Sequence, residues 1–254
     1  MTGSARRALV TGGSAGLGLA FVRLLASKGY DVLSVDRHKP SEDGDANPGV
    51  VRHIGCDLSD RAQLDQILGE LVSAGPFDLI VLNAGINATG PFEAIDLSTH
   101  LDVLRVNAEA PMIISARMLE AGALRPGGAI GFISSLSHFT GYPGAASYAA
   151  SKDALAVFAA NIRKVARARE ITVTVAFPGP LRTAHAEQHA PKGADASKRM
   201  DPTEAANAIL ADLLAGRKSS VPGNANRAVA MLGRLAPKPL TALMRRLIYD
   251  RLVQ

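Results

Sequence analysis

Two periodicities alternate along the chain. RALVT (7–11), DVLSV (31–35), FDLIVLN (77–83), AIGFIS (129–134) and ITVTVAF (171–177) are short, near-continuous apolar runs, the signature of strands buried on both faces. Segments 17–28, 60–73, 99–120 and 148–169 between them have helical length and spacing. DLSDRAQLDQIL places a cap, Ser59 or Asp60, just ahead of one of these helices. Regular alternation of strand and helix predicts an α/β fold with a doubly wound parallel sheet, helices covering both faces. SSV (219–221) offers a short last strand, for a sheet of about seven strands. One stretch follows neither period. RTAHAEQHAPKGADASKRMDP (182–202) is polar and punctuated by glycine and proline, and a loop of that length in a compact domain is expected to act as a lid.

The pattern changes after residue 222. Val229, Leu232 and Leu235 fall at helical spacing, and so do Leu240, Leu243, Met244, Leu247 and Ile248, with Arg245 and Arg246 on the polar side. The expected organisation is one domain over 1–222 followed by a basic, amphipathic helical extension over 223–254. Charge sharpens this division. Residues 217–254 hold eight Lys/Arg against one acid, a balance of +7, so the remainder carries −2 of the net +5. A basic tail on a near-neutral body argues against a nucleic-acid-binding surface. It leaves two expectations for the extension: packing on the body or a subunit interface, or peripheral contact with an anionic membrane.

Composition is that of a globular chain, 47% apolar and 20% charged over 254 residues. No apolar run is long enough for a membrane span, and the N-terminus lacks a signal-peptide core, so a cytoplasmic location is the expectation. Cys56 stands alone, which excludes an internal disulfide, and its expected role is that of a small buried residue. The six histidines form no ligand spacing, and no metal site is expected.

TGGSAGLG (11–18) follows the first strand and opens the first helix. Gly12, Gly16 and Gly18 allow a tight turn, and with Ser14, Ala15 and Leu17 they form a loop in which helix N-terminal amides can meet a pyrophosphate. At the end of the second strand, Asp36 can accept from both ribose hydroxyls of an adenosine, which favours NAD. Arg37 is the alternative, able to clasp the 2′-phosphate of NADP. ASYAASKDAL (146–155) sets Tyr148 and Lys152 four residues apart on one helical face.

Taken together these motifs resemble the short-chain dehydrogenase/reductase family, over roughly 6–210. TGGSAGLG is similar to that family's TGxxxGxG turn, CDLSD to its Asp-Leu pair, NAG (83–85) to its Asn-Ala-Gly turn, and YAASK to its Tyr-x-x-x-Lys pair, with Ser135 thirteen residues before Tyr148. The resemblance implies a Rossmann-type fold, a nicotinamide cofactor and a single dinucleotide-binding catalytic domain over 1–222. It implies that Asp57 binds the adenine amino group with Leu58 near the ring, and that Asn83, Ala84 and Gly85 line the cofactor. Pro178 and Gly179 are implied to belong to the cofactor-binding segment after the sixth strand, with the nicotinamide carboxamide held by the Leu181 backbone and the Thr183 hydroxyl. Asn107, Ser135, Tyr148 and Lys152 are implied to be catalytic. Lys152, together with the cofactor's positive nicotinamide, would depress the tyrosine pKa from its ordinary value of about 10; Lys152 would also hold the ribose, Ser135 would bind the substrate oxygen, and Asn107 would hold a relay water.

The expected substrate is a small carbonyl or secondary alcohol, apolar or aromatic if His138, Phe139 and Tyr142 border the pocket. Pocket shape is expected to depend on loops near 86–98, 136–146 and 184–200. A homodimer or homotetramer is implied as well. The competing expectation is a redox sensor or scaffold that binds the dinucleotide without turnover.

Overall fold

A computed structural model describes residues 5–39, 51–190 and 195–246. In chain order the elements are β1 (Arg6–Thr11), α1 (Gly16–Ser27), β2 (Tyr30–Asp36), β3 (Val51–Gly55), α2 (Arg61–Ala74), β4 (Phe77–Leu82), α3 (Leu97–Leu104) and α4 (Ala110–Glu120). There follow β5 (Leu124–Ile133), α5 (Ser137–Thr140), α6 (Ala146–Arg167), β6 (Thr172–Ala176), α7 (Ala184–Gln188), α8 (Pro202–Leu214), β7 (Ser219–Ser220), α9 (Asn224–Leu235) and α10 (Pro237–Met244).

The seven strands form one sheet in the order β3-β2-β1-β4-β5-β6-β7, and every pairing is parallel. The chain winds outward from β1 through β2 to β3, then returns to the other side of β1 as β4. That reversal opens a crevice above the carboxyl ends of β1 and β4, where open α/β sheets bind ligands. One face of the sheet is covered by α2, α4 and α6 through Leu64, Leu71, Ile114, Met118, Leu155 and Ala159. The other is covered by α1 and α8 through Phe21, Leu25, Ile209 and Leu213. Both faces being dry explains why the inner strands read as unbroken apolar runs.

The structure departs from the expected elements where tertiary contacts override the local pattern. β3 is an edge strand with Val51, Arg52 and Gly55 exposed, so its sequence carries little apolar signal. The single helix expected over 99–120 is divided into α3 and α4 by a π-helical segment, Arg105–Glu109. The segment 182–202 is not wholly irregular. α7 lies within it, its N-terminus capped by Thr183, whose hydroxyl oxygen accepts from the Ala186 N–H at 3.1 Å.

The extension docks on the body. Asn226 sits against Gly179, where an added Cβ would lie 2.5 Å from its Oδ1. α9 packs on α5 through Ala230 and Gly233, and α10 is tied down by Thr241, whose hydroxyl donates to the Thr140 carbonyl at 3.2 Å. The apolar stripe expected over Val229, Leu232 and Leu235 is therefore corrected. Val229 is half-buried against the core, but Leu232 and Leu235 face solvent at 57% and 74% exposure. The expected packing residues Leu247 and Ile248 lie outside the described residues. No described helix is long and apolar enough to cross a membrane.

A Cβ at Gly233 would stand 2.1 Å from the Phe139 carbonyl oxygen, which is backbone and cannot swing aside. Gly233→Val is expected to lift α9 from α5. Overpacking of this kind costs about 1–3 kcal/mol, or roughly 3–10 °C in Tm for a chain of this size. A thermal melt checks this, and an unchanged Tm contradicts the docking.

Candidate active site

The crevice begins with the glycine turn. Gly12, at φ +70°, passes so close to β4 that a Cβ there would lie 2.7 Å from the Ala84 Cα, and one at Gly18 would lie 1.8 Å from the Gly12 carbonyl oxygen. Asn83 secures this approach, donating from Nδ2 to the carbonyls of Thr11 and Gly12, both at 3.1 Å. The Thr11 hydroxyl oxygen accepts from the amides of Asn83 and Ala84 at 3.0 and 3.1 Å. α1 opens at Ala15 without a side-chain cap and has no acid in its first turn. Its leading amides and the positive end of its dipole thus face the crevice. A cradle of bare backbone beside an uncapped helix N-terminus fits a pyrophosphate.

Asp36, at the end of β2, is turned into this loop. Its Oδ2 accepts from both the amide and the hydroxyl of Ser14, at 3.0 and 2.7 Å, and its Oδ1 accepts from the His38 amide at 3.3 Å. The carboxylate braces the glycine turn, which leaves the NAD preference expected from it without support. Arg37 extends outward, 59% exposed, with Nη1 3.8 Å from an Asp57 oxygen. Burial pushes the Asp57 carboxyl up, but hydrogen bonds from the Ser59 amide and hydroxyl, with Arg37, outweigh it and hold the group below its ordinary value. Leu58 is buried in the core beneath this rim.

Next to the crevice, the end of β5 and the first turns of α6 bring the implied catalytic side chains together. The Ser135 hydroxyl lies near enough to the Tyr148 phenol to pull its pKa down. Ser135 Oγ also accepts from the Ser137 amide at 3.1 Å, which fixes its direction. Ser134 is structural: its hydroxyl is buried and donates to the Lys152 carbonyl at 2.9 Å.

Lys152 is buried, and its Nζ donates to the Ile133 carbonyl at 2.9 Å and lies 5.9 Å from the Tyr148 ring centre. Burial lowers its pKa to about 8. Gly85 is what admits it. A Cβ there would be 3.0 Å from Nζ and 3.4 Å from Asn107 Oδ1. Asn107 stands in the π-helical segment, fully buried, with Oδ1 accepting from the Ile86 amide at 2.8 Å. Its Nδ2 donates to the Ile86 carbonyl at 2.9 Å and the Ser151 hydroxyl at 3.0 Å. Its side chain clamps the Asn-Ala-Gly turn to α6.

The tyrosine corrects one expectation. Burial raises the Tyr148 pKa, the Ser135 hydroxyl pulls it down, and neighbouring Tyr142 raises it again, for a net upward shift. Lys152, turned toward Ile133, does not by itself produce the expected depression.

Around this cluster lies a polar rim. The Tyr142 and Tyr148 rings meet edge-on at 5.9 Å, and the Tyr142 hydroxyl donates to the His189 carbonyl at 3.4 Å. Thr89 Oγ1 and His189 Nδ1 are 3.1 Å apart, and the Gly90 amide donates to the Gly144 carbonyl at 2.9 Å. The loops near 86–98 and 136–146 thus meet each other and the segment around His189. His138 and Phe139 do not border the site. Phe139 is buried in the core against Phe177, and His138 stacks on Phe177 while pairing with Asp153 at 2.9 Å. The apolar pocket expected from them loses its basis.

The Pro178 carbonyl accepts from the Leu136 amide at 2.9 Å, Leu181 is buried and bridges to Met200, and the Thr183 methyl lies 3.1 Å from a Cβ placed on Gly16. This last contact brings the start of the 182–202 segment over the glycine turn. Asn87 and Thr89 were not legible in the sequence, since only folding carries Asn87 toward Tyr142 and Thr89 to His189. Among the described residues no cluster fit for a metal ion occurs.

A family model described as "short chain dehydrogenase" matches residues 6–193. A 3-oxoacyl-[acyl-carrier-protein] reductase of Haemophilus influenzae is 30% identical over 182 residues, covering 69% of this chain and 74% of the relative. A cyclic-di-GMP-binding biofilm dispersal mediator protein of Escherichia coli is 34% identical over 181 residues, covering 69% and 73%. Among solved structures, a short-chain dehydrogenase of Burkholderia cenocepacia in complex with NADP superposes with a TM-score of 0.78 at 24% identity, covering 94% of this chain and 97% of that one. The chain thus belongs to the short-chain dehydrogenase/reductase family and is an NAD(P)-dependent oxidoreductase.

Proposed function

We propose that the protein interconverts a carbonyl compound and a secondary alcohol, with Tyr148 as the proton-exchanging group. The observation that carries this reading is the placement of the Ser135 hydroxyl near enough to the Tyr148 phenol to act on its ionisation, beside the dinucleotide cradle. Two neighbouring hydroxyls can both turn toward one substrate oxygen. In reduction, Ser135 donates a hydrogen bond to that oxygen as negative charge gathers on it, and Tyr148 gives up its proton to it. The bound nicotinamide cofactor supplies the hydride. Lys152, from its slot beside Gly85, positions the cofactor ribose and places a positive charge near the phenol. Asn107 acts through its clamp on Ile86, holding that slot open. Turnover of a carbonyl panel, followed as loss of reduced cofactor, tests this. Cofactor binding with no turnover of any carbonyl or alcohol would favour the sensor reading instead.

The proposed cofactor is NADP(H). Asp36 braces Ser14, whereas Arg37 projects from the rim where a 2′-phosphate would lie. The Burkholderia cenocepacia protein is itself complexed with NADP. Arg37→Ala is expected to weaken NADPH binding by roughly tenfold or more, the size of a lost charge-assisted contact, and to leave NADH binding nearly unchanged. Fluorescence titration of both reduced cofactors checks this, and equal losses would contradict it.

A homo-oligomer is proposed as well. Leu97, Leu101 and Leu104 on α3 and Val157 on adjoining α6 are exposed at 73%, 42%, 41% and 58%. Apolar side chains gathered on adjoining helices suit a subunit contact. Light scattering on the eluted protein should give a multiple of 26.5 kDa, and Leu101→Glu should shift it toward one copy.

A further inference from the structure

We propose that the outer face of the C-terminal extension binds an anionic membrane surface. α9 docks on α5 through small residues, with Ala230 and Gly233 buried, and this leaves its large apolar side chains outside. Met231, Leu232 and Leu235 are exposed at 64%, 57% and 74%. Positions 231 and 235 lie one turn apart with 232 beside them, so the three form one outward stripe. Leu243 on α10 is exposed as well, at 49%. Large apolar side chains gathered on one stretch of surface mark a contact.

The charges decide what that contact is. Arg227, Arg234, Lys238, Arg245 and Arg246 are all exposed, and no acidic residue occurs between Arg217 and Tyr249. Arg227 continues the 231–235 stripe one turn back, and Arg234 holds its guanidinium carbon 4.9 Å from the Phe139 ring centre. Asp153, beside α5, is already paired with His138 at 2.9 Å. A symmetric contact between two copies would set these cations against themselves, with no acid of the extension to pair with. Nucleic acid would meet the cations and leave the leucines wet. A bilayer with anionic headgroups answers both: Leu and Met enter the interface, while Arg and Lys reach along their stems to the phosphates.

α10 adds a place for a headgroup. A groove of about 600 Å³ lies between α10 and the chain at Pro143 and Gly144, with Lys238 and Arg245 in its lining beside Pro237 and Ala242. Two cations among apolar side chains suit a phosphate ester joined to hydrocarbon. Pro143 directly follows Tyr142, whose ring meets Tyr148 edge-on at 5.9 Å, so this surface adjoins the wall of the candidate active site.

The test floats the full chain with vesicles of phosphatidylcholine alone and of phosphatidylcholine mixed equally with phosphatidylglycerol. Wild type is expected to bind the anionic vesicles about tenfold or more tightly than the neutral ones, and high salt should remove most of that difference. Leu232→Ser/Leu235→Ser should lower binding to anionic vesicles by about tenfold or more, with thermal melt and NADPH binding as in wild type because both side chains are exposed. If that variant melts early, Lys238→Gln/Arg246→Gln supplies the same readout, with the loss confined to anionic vesicles. Equal partition onto both vesicle types, no partition at all, or binding indifferent to both double substitutions would overturn the proposal. A chain that binds no vesicle, but whose light-scattering mass falls in Leu232→Ser/Leu235→Ser, would overturn it by making the face a contact between copies. Retention on immobilised polyglutamate without vesicle binding would also overturn it, in favour of an acidic protein partner.

Discussion

Tyr148→Phe is expected to lower kcat by about 10²–10⁴-fold, the range typical of removing a positioned general acid–base, while the cofactor Kd changes by less than about threefold. The substitution removes one oxygen and leaves the ring, whose edge-on contact with Tyr142 is at 5.9 Å. The dinucleotide cradle, built from Gly12, Gly18, Asn83 and the N-terminus of α1, is untouched. Turnover by single-wavelength absorbance and binding by fluorescence separate the two effects. Activity retained within tenfold would remove Tyr148 from the chemistry.

The second large effect is expected at Gly18. A Cβ there would lie 1.8 Å from the Gly12 carbonyl oxygen and 2.6 Å from Asn83 Nδ2, so Gly18→Ala must push α1 from the turn or break the tie to β4. α1 cannot yield cheaply, since Phe21, Val22 and Leu25 anchor it in the core. The expected outcome is loss of cofactor binding by about a hundredfold or more, with destabilisation of about 1–3 kcal/mol from overpacking. Gly69→Ala is the control. Gly69 lies in α2 with open space around it, and alanine there should leave binding intact and raise stability by up to about 1 kcal/mol. Paired melts and titrations check both. Cofactor affinity near wild type in Gly18→Ala would contradict the cradle.

Much of this architecture was legible because local chemistry and global fold agree. The buried strands read as apolar runs since both faces of the sheet are dry, and the glycine turn is legible through its spacing together with the strand before it and the helix after it. Spacing puts Tyr148 and Lys152 on one helical face, and the resemblance to the short-chain dehydrogenase/reductase family singles them out, with Ser135 at that family's offset from the tyrosine. What escaped the sequence was whatever depends on direction. Asp36 stands at the end of β2 as anticipated, yet it points inward to Ser14. Lys152 shares a helical face with Tyr148, yet its ammonium group turns to the Ile133 carbonyl. Spacing gives the face, and only packing gives the aim of a long side chain.

The rim follows the same rule. His138 and Phe139 adjoin Ser135 in sequence, but the short helix α5 carries them to Phe177 and away from the cleft. The bridge between Leu181 and Met200 draws the end of the 182–202 segment back to the body, a contact that no periodicity in this polar stretch announces. α9 misleads for another reason. Its packed face is made of Ala230 and Gly233, small residues that allow close approach, while Met231, Leu232 and Leu235 lie outside. A hydrophobicity stripe locates large side chains, and here the contact needs small ones.

The most direct measurement is a double-substitution cycle on Ser135 and Tyr148, read as single-turnover hydride transfer with saturating cofactor. Two groups that grip one oxygen act as a unit, so Ser135→Ala combined with Tyr148→Phe should be little slower than Tyr148→Phe alone. Rate losses that simply multiply would mean that the two hydroxyls work on separate atoms, and the site described here would not be the site of reaction.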